Sequence, residues 1–288
     1  MRSSRAILVL GMHRSGTSAL TRGLQALGVY LGNDFLSPKP DNPTGYWEDK
    51  NITELNERLL ATLGLKWEDV ALIDDTRWNE PKIEVLRAEA VTYLQSCFKG
   101  RPLWGFKDPR TIRLLPFWRT VLQRLRVDDS YVLAIRNPRS VAMSLFQRSG
   151  SGIDVLTGHL LWLVYMVPYL REITHRSFVV VDYDLVIANP QQQLERIARS
   201  LNIHLSDVSR TGIAQYVGDF LDPSLRHSFF DESDFETRPD IPPLSREAYL
   251  WLRRLATDRI ASDSAKFWEA WECSHEAVRA LMLSANSA

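Results

Sequence analysis

One segment near the start constrains this chain more than any other: Arg5-Ala-Ile-Leu-Val-Leu-Gly-Met-His-Arg-Ser-Gly-Thr-Ser18. The unbroken apolar run from Ala6 to Leu10 reads as a short strand buried on both faces, because no polar residue alternates within it. Gly11 and Gly16 close a tight turn, and a helix begins near Thr17. That succession points backbone N–H groups, with the hydroxyls of Ser15, Thr17 and Ser18, at one spot above a helix N-terminus, where the dipole favours an anion. The spacing Gly11-x-x-x-x-Gly16-Thr17-Ser18 is that of a phosphate-binding loop, with Thr17 standing where an ATP-binding loop carries lysine. That lysine reaches the β- and γ-phosphates, so its absence argues against ATP or GTP hydrolysis. The cation sits in the turn instead, as Arg14.

Further strand-like runs occur at Leu103–Phe106, Tyr131–Ile135 and Phe178–Val181, each followed by turn residues and then a helical pattern. Short, fully apolar strands alternating with helices predict an α/β fold: a P-loop-like, mostly parallel sheet with helices on both faces. Ligands of such sheets bind at the carboxyl ends of the strands. Helices are expected at about Asp49–Leu63 and Pro81–Phe98, with a long one over Ile153–Thr174. Past Leu201 the pattern becomes irregular, and two helices near Arg246–Arg259 and Ala265–Ser284 end the chain. We read a single domain, with a core over about 5–205 and a helical C-terminal extension over about 206–288.

The 35 basic and 35 acidic residues cancel, which leaves no general charge for nucleic acid or an anionic membrane. An anion site must therefore be local. Cys97 and Cys273 have no metal-ligand spacing, and no metal is expected. The N-terminal apolar run is too short for a signal peptide, and Leu160 to Leu170 falls far below the roughly 20 residues of a membrane span. These features predict a cytoplasmic protein with no membrane insertion.

A second motif, Tyr131-Val-Leu-Ala-Ile-Arg-Asn-Pro-Arg-Ser-Val-Ala-Met-Ser144, places Arg136 at a strand tip, Pro138 at the start of a helix and Ser144 two turns on. An arginine and a serine so placed can hold one phosphate by charge-assisted hydrogen bonds. Together the two motifs resemble those of the sulfotransferases that use 3′-phosphoadenosine 5′-phosphosulfate (PAPS). The resemblance implies that Arg14, Ser15, Gly16, Thr17 and Ser18 hold the 5′ end of that donor, and that Arg136 and Ser144 hold its 3′-phosphate. A third segment, Phe178-Val-Val-Val-Asp-Tyr-Asp-Leu-Val-Ile-Ala-Asn-Pro190, is similar to the family's strand and Tyr-acidic turn. It offers Tyr183 as a flat partner for adenine, or as a cap on the core. Arg226, in Leu225-Arg-His-Ser228, is a candidate for a further contact to the 3′-phosphate.

The fourth segment is Trp104-Gly-Phe-Lys-Asp-Pro-Arg-Thr-Ile-Arg-Leu-Leu-Pro116. In sulfotransferases acting on phenols and steroids the comparable strand end reads Lys-Thr-His, with the histidine as base. Here that place is Pro109, which accepts no proton. Lys107-Asp108-Pro109 instead resembles the glycan and protein-tyrosine sulfotransferases, whose base is a glutamate. The matching residue is Glu48, with Asp49 and Asp108 as alternatives. Lys107 and Arg14 would stabilise the leaving oxygen, although Lys107 also suits an ion pair with Asp108 or Glu48. His13 is expected to pack beside the nucleotide. Arg110, Arg113, Trp162 and Tyr165 are candidates to line the acceptor site. The acceptor hydroxyl is expected on a carbohydrate, then on tyrosine, then on a small metabolite. A P-loop kinase and a non-catalytic nucleotide-binding protein are the rival readings; the first needs the lysine that Thr17 replaces.

Overall fold

The computed structural model describes residues 4–39, 42, 44–148, 152–221, 238 and 240–285. Four strands, β1 (Arg5–Leu10), β2 (Leu103–Lys107), β3 (Asp128–Ile135) and β4 (Ser177–Asp182), form one sheet in the order β2-β1-β3-β4. Every pairing is parallel. Val9 lies opposite Lys107, Leu10 opposite Leu133, and Ile135 opposite Asp182, so the strands end along one edge of the sheet.

The strand side chains sort by parity, as a pleated strand requires. Ile7, Val9, Val132, Ala134, Val179 and Val181 face one way and pack with α1 (Thr17–Ala26), α8 (Pro190–Ser200) and α9 (Asp207–Gln215). Ala6, Leu8, Leu10, Tyr131, Leu133, Ile135 and Val180 face the other way. They pack with α2 (Lys50–Thr62), α3 (Pro81–Cys97), α4 (Leu115–Leu125), α5 (Pro138–Phe146) and α6 (Val155–Met166). Burial on both faces is why the strands read as continuous apolar runs rather than as alternating ones.

Two stretches depart from the sequence reading. The helix expected over Ile153–Thr174 is broken: α6 stops at Met166, and a separate 3₁₀ turn covers Leu170–Ile173. Pro168 between them has no N–H with which to continue a helix. Past Leu201 the chain is regular for one more unit, α9, which runs into a π-helical turn over Tyr216–Phe220. A short α7 (Tyr183–Ala188) follows β4 directly. The last helices, α10 (Pro243–Ala256) and α11 (Ala265–Ala285), return to the sheet, where the hydroxyl of Tyr249 and the guanidinium of Arg253 donate to Asp182 at 2.8 and 2.9 Å. Among the described residues no helix is long and apolar enough to cross a membrane.

Candidate active site

The turn after β1 has the backbone its glycines foretell. Gly11 has φ 142° and Gly16 has φ 79°, both outside the range that side chains tolerate. Space forbids a side chain as well. A Cβ on Gly11 would lie 2.5 Å from the carbonyl oxygen of Ala134, and one on Gly16 would lie 2.1 Å from Cδ2 of Tyr183. Arg14 between them is also left-handed, with φ 66°. Gly16 caps α1 without a side-chain hydrogen bond, and the first turn holds no acidic residue. The Ser15 hydroxyl is buried and has no hydrogen-bond partner. The helix N-terminus without a side-chain cap and the unpaired Ser15 hydroxyl leave hydrogen-bonding capacity of the kind an anion can use.

The parallel register brings three other strand ends to this turn. At the end of β3, Arg136 donates to the Arg14 carbonyl at 3.1 Å, and its guanidinium lies 5.0 Å from the ring of Tyr183, the residue after β4. Asn137 caps α5 through the N–H groups of Arg139 and Ser140, which sets the helix so that Ser144 accepts from Arg14 Nε at 2.9 Å. Arg14, Arg136, Ser144 and Tyr183, far apart in sequence, thus form one group around the loop. Arg14 reaches toward Ser144.

Lys107, the last residue of β2, stands on the other side. Its ammonium donates to Ser18 Oγ at 3.2 Å, to the Tyr46 carbonyl, and to Glu48 Oε1 at 2.7 Å. Trp47 between those last two partners has φ 56°, a left-handed turn that is rare for a bulky residue. The reversal lets Tyr46 by its carbonyl and Glu48 by its carboxylate face the same cation. Arg22 of α1 lies 5.7 Å from the rings of both Trp47 and Phe220, packing that turn against the phosphate loop's helix. Burial raises the Glu48 carboxyl above the usual carboxylate range, and the neighbouring Asp108 adds to the rise while Lys107 opposes it.

The three candidate carboxylates now separate. Asp49 caps α2, accepting from Asn51 N and Ile52 N at 3.0 Å and from the Tyr93 hydroxyl at 2.7 Å. Asp108 caps the 3₁₀ turn Pro109–Ile112 through Arg110 N and also accepts from the Arg110 guanidinium at 2.9 Å. Both are held by their own elements. Glu48 alone is paired to the cation that also touches the phosphate loop.

Trp162 is wholly buried in the core. Arg113 is also fully buried, donating to the carbonyls of Asp69 at 3.1 Å and Ala71 at 2.7 Å, so it braces a loop instead of facing an acceptor. Tyr165 donates to the Trp67 carbonyl at 2.8 Å. His13 packs against Trp67, with ring centroids 4.5 Å apart, and against the edge of Tyr165 at 5.7 Å. Arg226 lies outside the described residues. Trp67 carried no signal in the sequence, since nothing local places residue 67 beside residue 13. Among the described residues no group of three or more His, Cys, Asp or Glu is placed to hold a metal ion.

A family model described as the sulfotransferase family matches residues 6–207, a range that holds the sheet from Ala6 onward and the residues from Gly11 to Tyr183 described above. The chain belongs to the sulfotransferase family. Its members take the sulfuryl group from PAPS, and this chain is a PAPS-dependent enzyme of that kind. Among solved structures, it is similar to sulfotransferase STF9 from Mycobacterium avium, at 15% identity over 77% of this chain and 70% of that one, with a TM-score of 0.50. At such identity the likeness is one of fold. The sulfotransferase domain from the Synechococcus PCC 7002 olefin synthase also matches, at 16% identity over 90% of this chain and 96% of that one, with a TM-score of 0.45. No curated protein matches the chain.

Proposed function

We propose that this sulfotransferase acts on a hydroxyl of a carbohydrate and that Glu48 is its base. The observation that carries the reading is the position of Lys107, whose ammonium joins Ser18 of the phosphate loop to Glu48 at the start of α2. A proton acceptor is thereby fixed within one side chain's reach of the place built for a phosphate. Support for the donor site comes from Ser15, a buried hydroxyl with no partner, beside a helix N-terminus without a side-chain cap.

PAPS supplies the sulfuryl group together with two separate anionic ends for the protein to hold. Ser15, Gly16, Thr17 and Ser18 take the 5′ end, where the N–H groups of the α1 N-terminus add their partial charge. Arg136 and Ser144 take the 3′-phosphate, with Arg14 between the two ends, and Tyr183 takes the adenine. Lys107 stabilises the charge that develops on the departing oxygen, a role that a fixed donor in a buried site performs with about 3–4 kcal/mol. Glu48 accepts the proton of the attacking hydroxyl. Burial raises its pKa, which improves it as a base, while the Lys107 ammonium favours its ionised form.

Calorimetric titration with 3′-phosphoadenosine 5′-phosphate (PAP), beside ADP and ATP, tests the donor site. Tight PAP binding with at least about tenfold weaker ADP is expected from the two-phosphate grip. Preference for ATP with Mg²⁺ would overturn it. Glu48→Gln tests the base: turnover should fall by about 10²–10⁴-fold, with the loss in kcat. Turnover preserved in that variant removes Glu48 from the mechanism and leaves the donor site standing.

A further inference from the structure

His13 lies within the phosphate loop and packs against Trp67 and Tyr165. Its Nδ1 is buried and has no hydrogen-bond partner. A buried polar atom without a partner costs stability, and a hydrogen-bonding ligand entering beside the turn would relieve that cost. The surroundings restrict that partner. Burial, with the positive charge of Arg110, Lys107, Arg148 and Arg14 around the ring, holds its pKa well below the ordinary value. The imidazole is therefore neutral at physiological pH, and its lowered pKa makes it a weaker proton acceptor than an ordinary histidine. None of those cations donates to it. A neutral imidazole offers one N–H and one lone pair, and a hydroxyl can satisfy either, because it donates and accepts.

The wall behind His13 is unusually well braced. The Arg113 guanidinium reaches the carbonyls of Asp69 and Ala71 and lies 5.3 Å from the Tyr165 ring. Tyr165 in turn holds the carbonyl of Trp67. A fully buried arginine committed to one loop fixes the indole of Trp67 against His13. Trp67 is itself only half-buried, unlike Trp104, Trp118, Trp162 and Trp271 in the core. An aromatic face beside an unpaired ring nitrogen suits a ring that carries C–H groups on its face and hydroxyls at its rim. Along α2 the same strip continues: Glu57 pairs with Arg110 at 2.9 Å, and Glu48 precedes the helix.

We infer that His13 and Trp67 form an acceptor subsite for a polyhydroxylated ring, in which His13 hydrogen-bonds a hydroxyl other than the one that receives the sulfuryl group. The inference rests on the proposed carbohydrate acceptor and adds the residue that selects it. Transfer from radiolabelled PAPS to a panel of methyl hexosides and to cyclohexanol, a ring with a single hydroxyl, reads it directly. The quantity of interest is the ratio of kcat/KM between the preferred hexoside and cyclohexanol, which is indifferent to damage shared by both reactions. His13→Phe keeps a ring and removes the nitrogen. His13→Asn keeps a polar atom at the δ position. The ratio should fall about 10- to 100-fold in His13→Phe, through KM for the hexoside, and should largely recover in His13→Asn.

An unchanged ratio in His13→Phe, or equal losses in both variants, overturns the subsite. Wild-type enzyme that sulfates cyclohexanol but no hexoside overturns the carbohydrate acceptor and the subsite together, with the sulfotransferase reading intact. Failure of the wild type to bind PAP in the same preparation would remove the donor site itself, and the subsite with it.

Discussion

Replacing Lys107 by methionine probes the centre of the site, and the structure sets the size of the effect. The lysine side chain is 1% exposed, so methionine fills the space without admitting water. Three interactions disappear: those to Ser18 Oγ, the Tyr46 carbonyl and Glu48 Oε1. The largest loss is the last, because it leaves the Glu48 carboxylate buried with no cation and with the buried Asp108 nearby. Breaking a buried pair from one side costs about 3–5 kcal/mol. Against the roughly 5–15 kcal/mol that holds a protein folded, that is a large fraction. Glu48 can escape by taking a proton, at about 1.4 kcal/mol for each unit between its pKa and the solution pH. The cost therefore has a definite pH sign. With its folded pKa raised above the unfolded value, Glu48 binds more protons in the native state between those two values, so stability falls as pH rises through the raised pKa. Urea unfolding of the wild type, Lys107→Met, Glu48→Gln and the double variant, at pH 7 and near pH 5, gives the full cycle. Lys107→Met should lose about 3–5 kcal/mol at pH 7 and less at pH 5, and the double variant should recover most of the loss. A double variant no more stable than Lys107→Met, or costs that simply add, would refute the pairing on which the catalytic assignment rests.

Three other changes test the donor site and the core. Gly16→Ala would force a Cβ to within 2.1 Å of the Tyr183 ring at φ 79°, so PAP binding measured by calorimetry should be lost or weakened by at least about tenfold. Arg136→Ala should raise the PAP dissociation constant about 10- to 100-fold while changing ADP binding much less, since only PAP carries the 3′-phosphate; equal losses for both nucleotides would move Arg136 out of that role. His159 on α6 is wholly buried, and neither ring nitrogen has a hydrogen-bond partner. Burial lowers its pKa from 6.5 to about 4, with Arg139 assisting and Asp240 opposing. The unfolded chain then binds the extra proton first, so stability falls as pH drops from 6.5 toward 4, by about 3 kcal/mol at the lower limit. His159→Phe should flatten that part of the stability curve, and an unaltered acid limb would show that His159 is not its source.

The local backbone was legible from residues alone. Continuous apolar runs marked the strands at Ile7–Leu10, Leu103–Phe106, Tyr131–Ile135 and Phe178–Val181, because a parallel sheet covered on both faces has no polar alternation to show. Gly11 and Gly16 marked the phosphate turn, because only glycine accepts its dihedral angles and its crowding. Pro138 marked the start of α5 and, through it, the neighbourhood of Arg136 and Ser144.

What tertiary structure decided is which side chains meet. Glu48, Asp49 and Asp108 are the same kind of group in sequence, and each stands next to a helix start. Only the placement of β2 beside β1 brings Lys107 to Ser18 and Glu48, while Asp49 and Asp108 turn to cap their own elements. Arg113 and Arg110 are three residues apart on one turn, yet Arg113 is buried under the loop of Trp67 and Arg110 is paired to Asp108 and Glu57. Trp162 was a candidate to line the acceptor site and is buried in the core, whereas Trp67 gave no sign and stands beside His13. Dihedral preference and hydrophobic pattern act over a few residues, so a sequence can display them. Partnership across a sheet depends on strand order and on which face of each helix is buried, and those are properties of the folded chain as a whole.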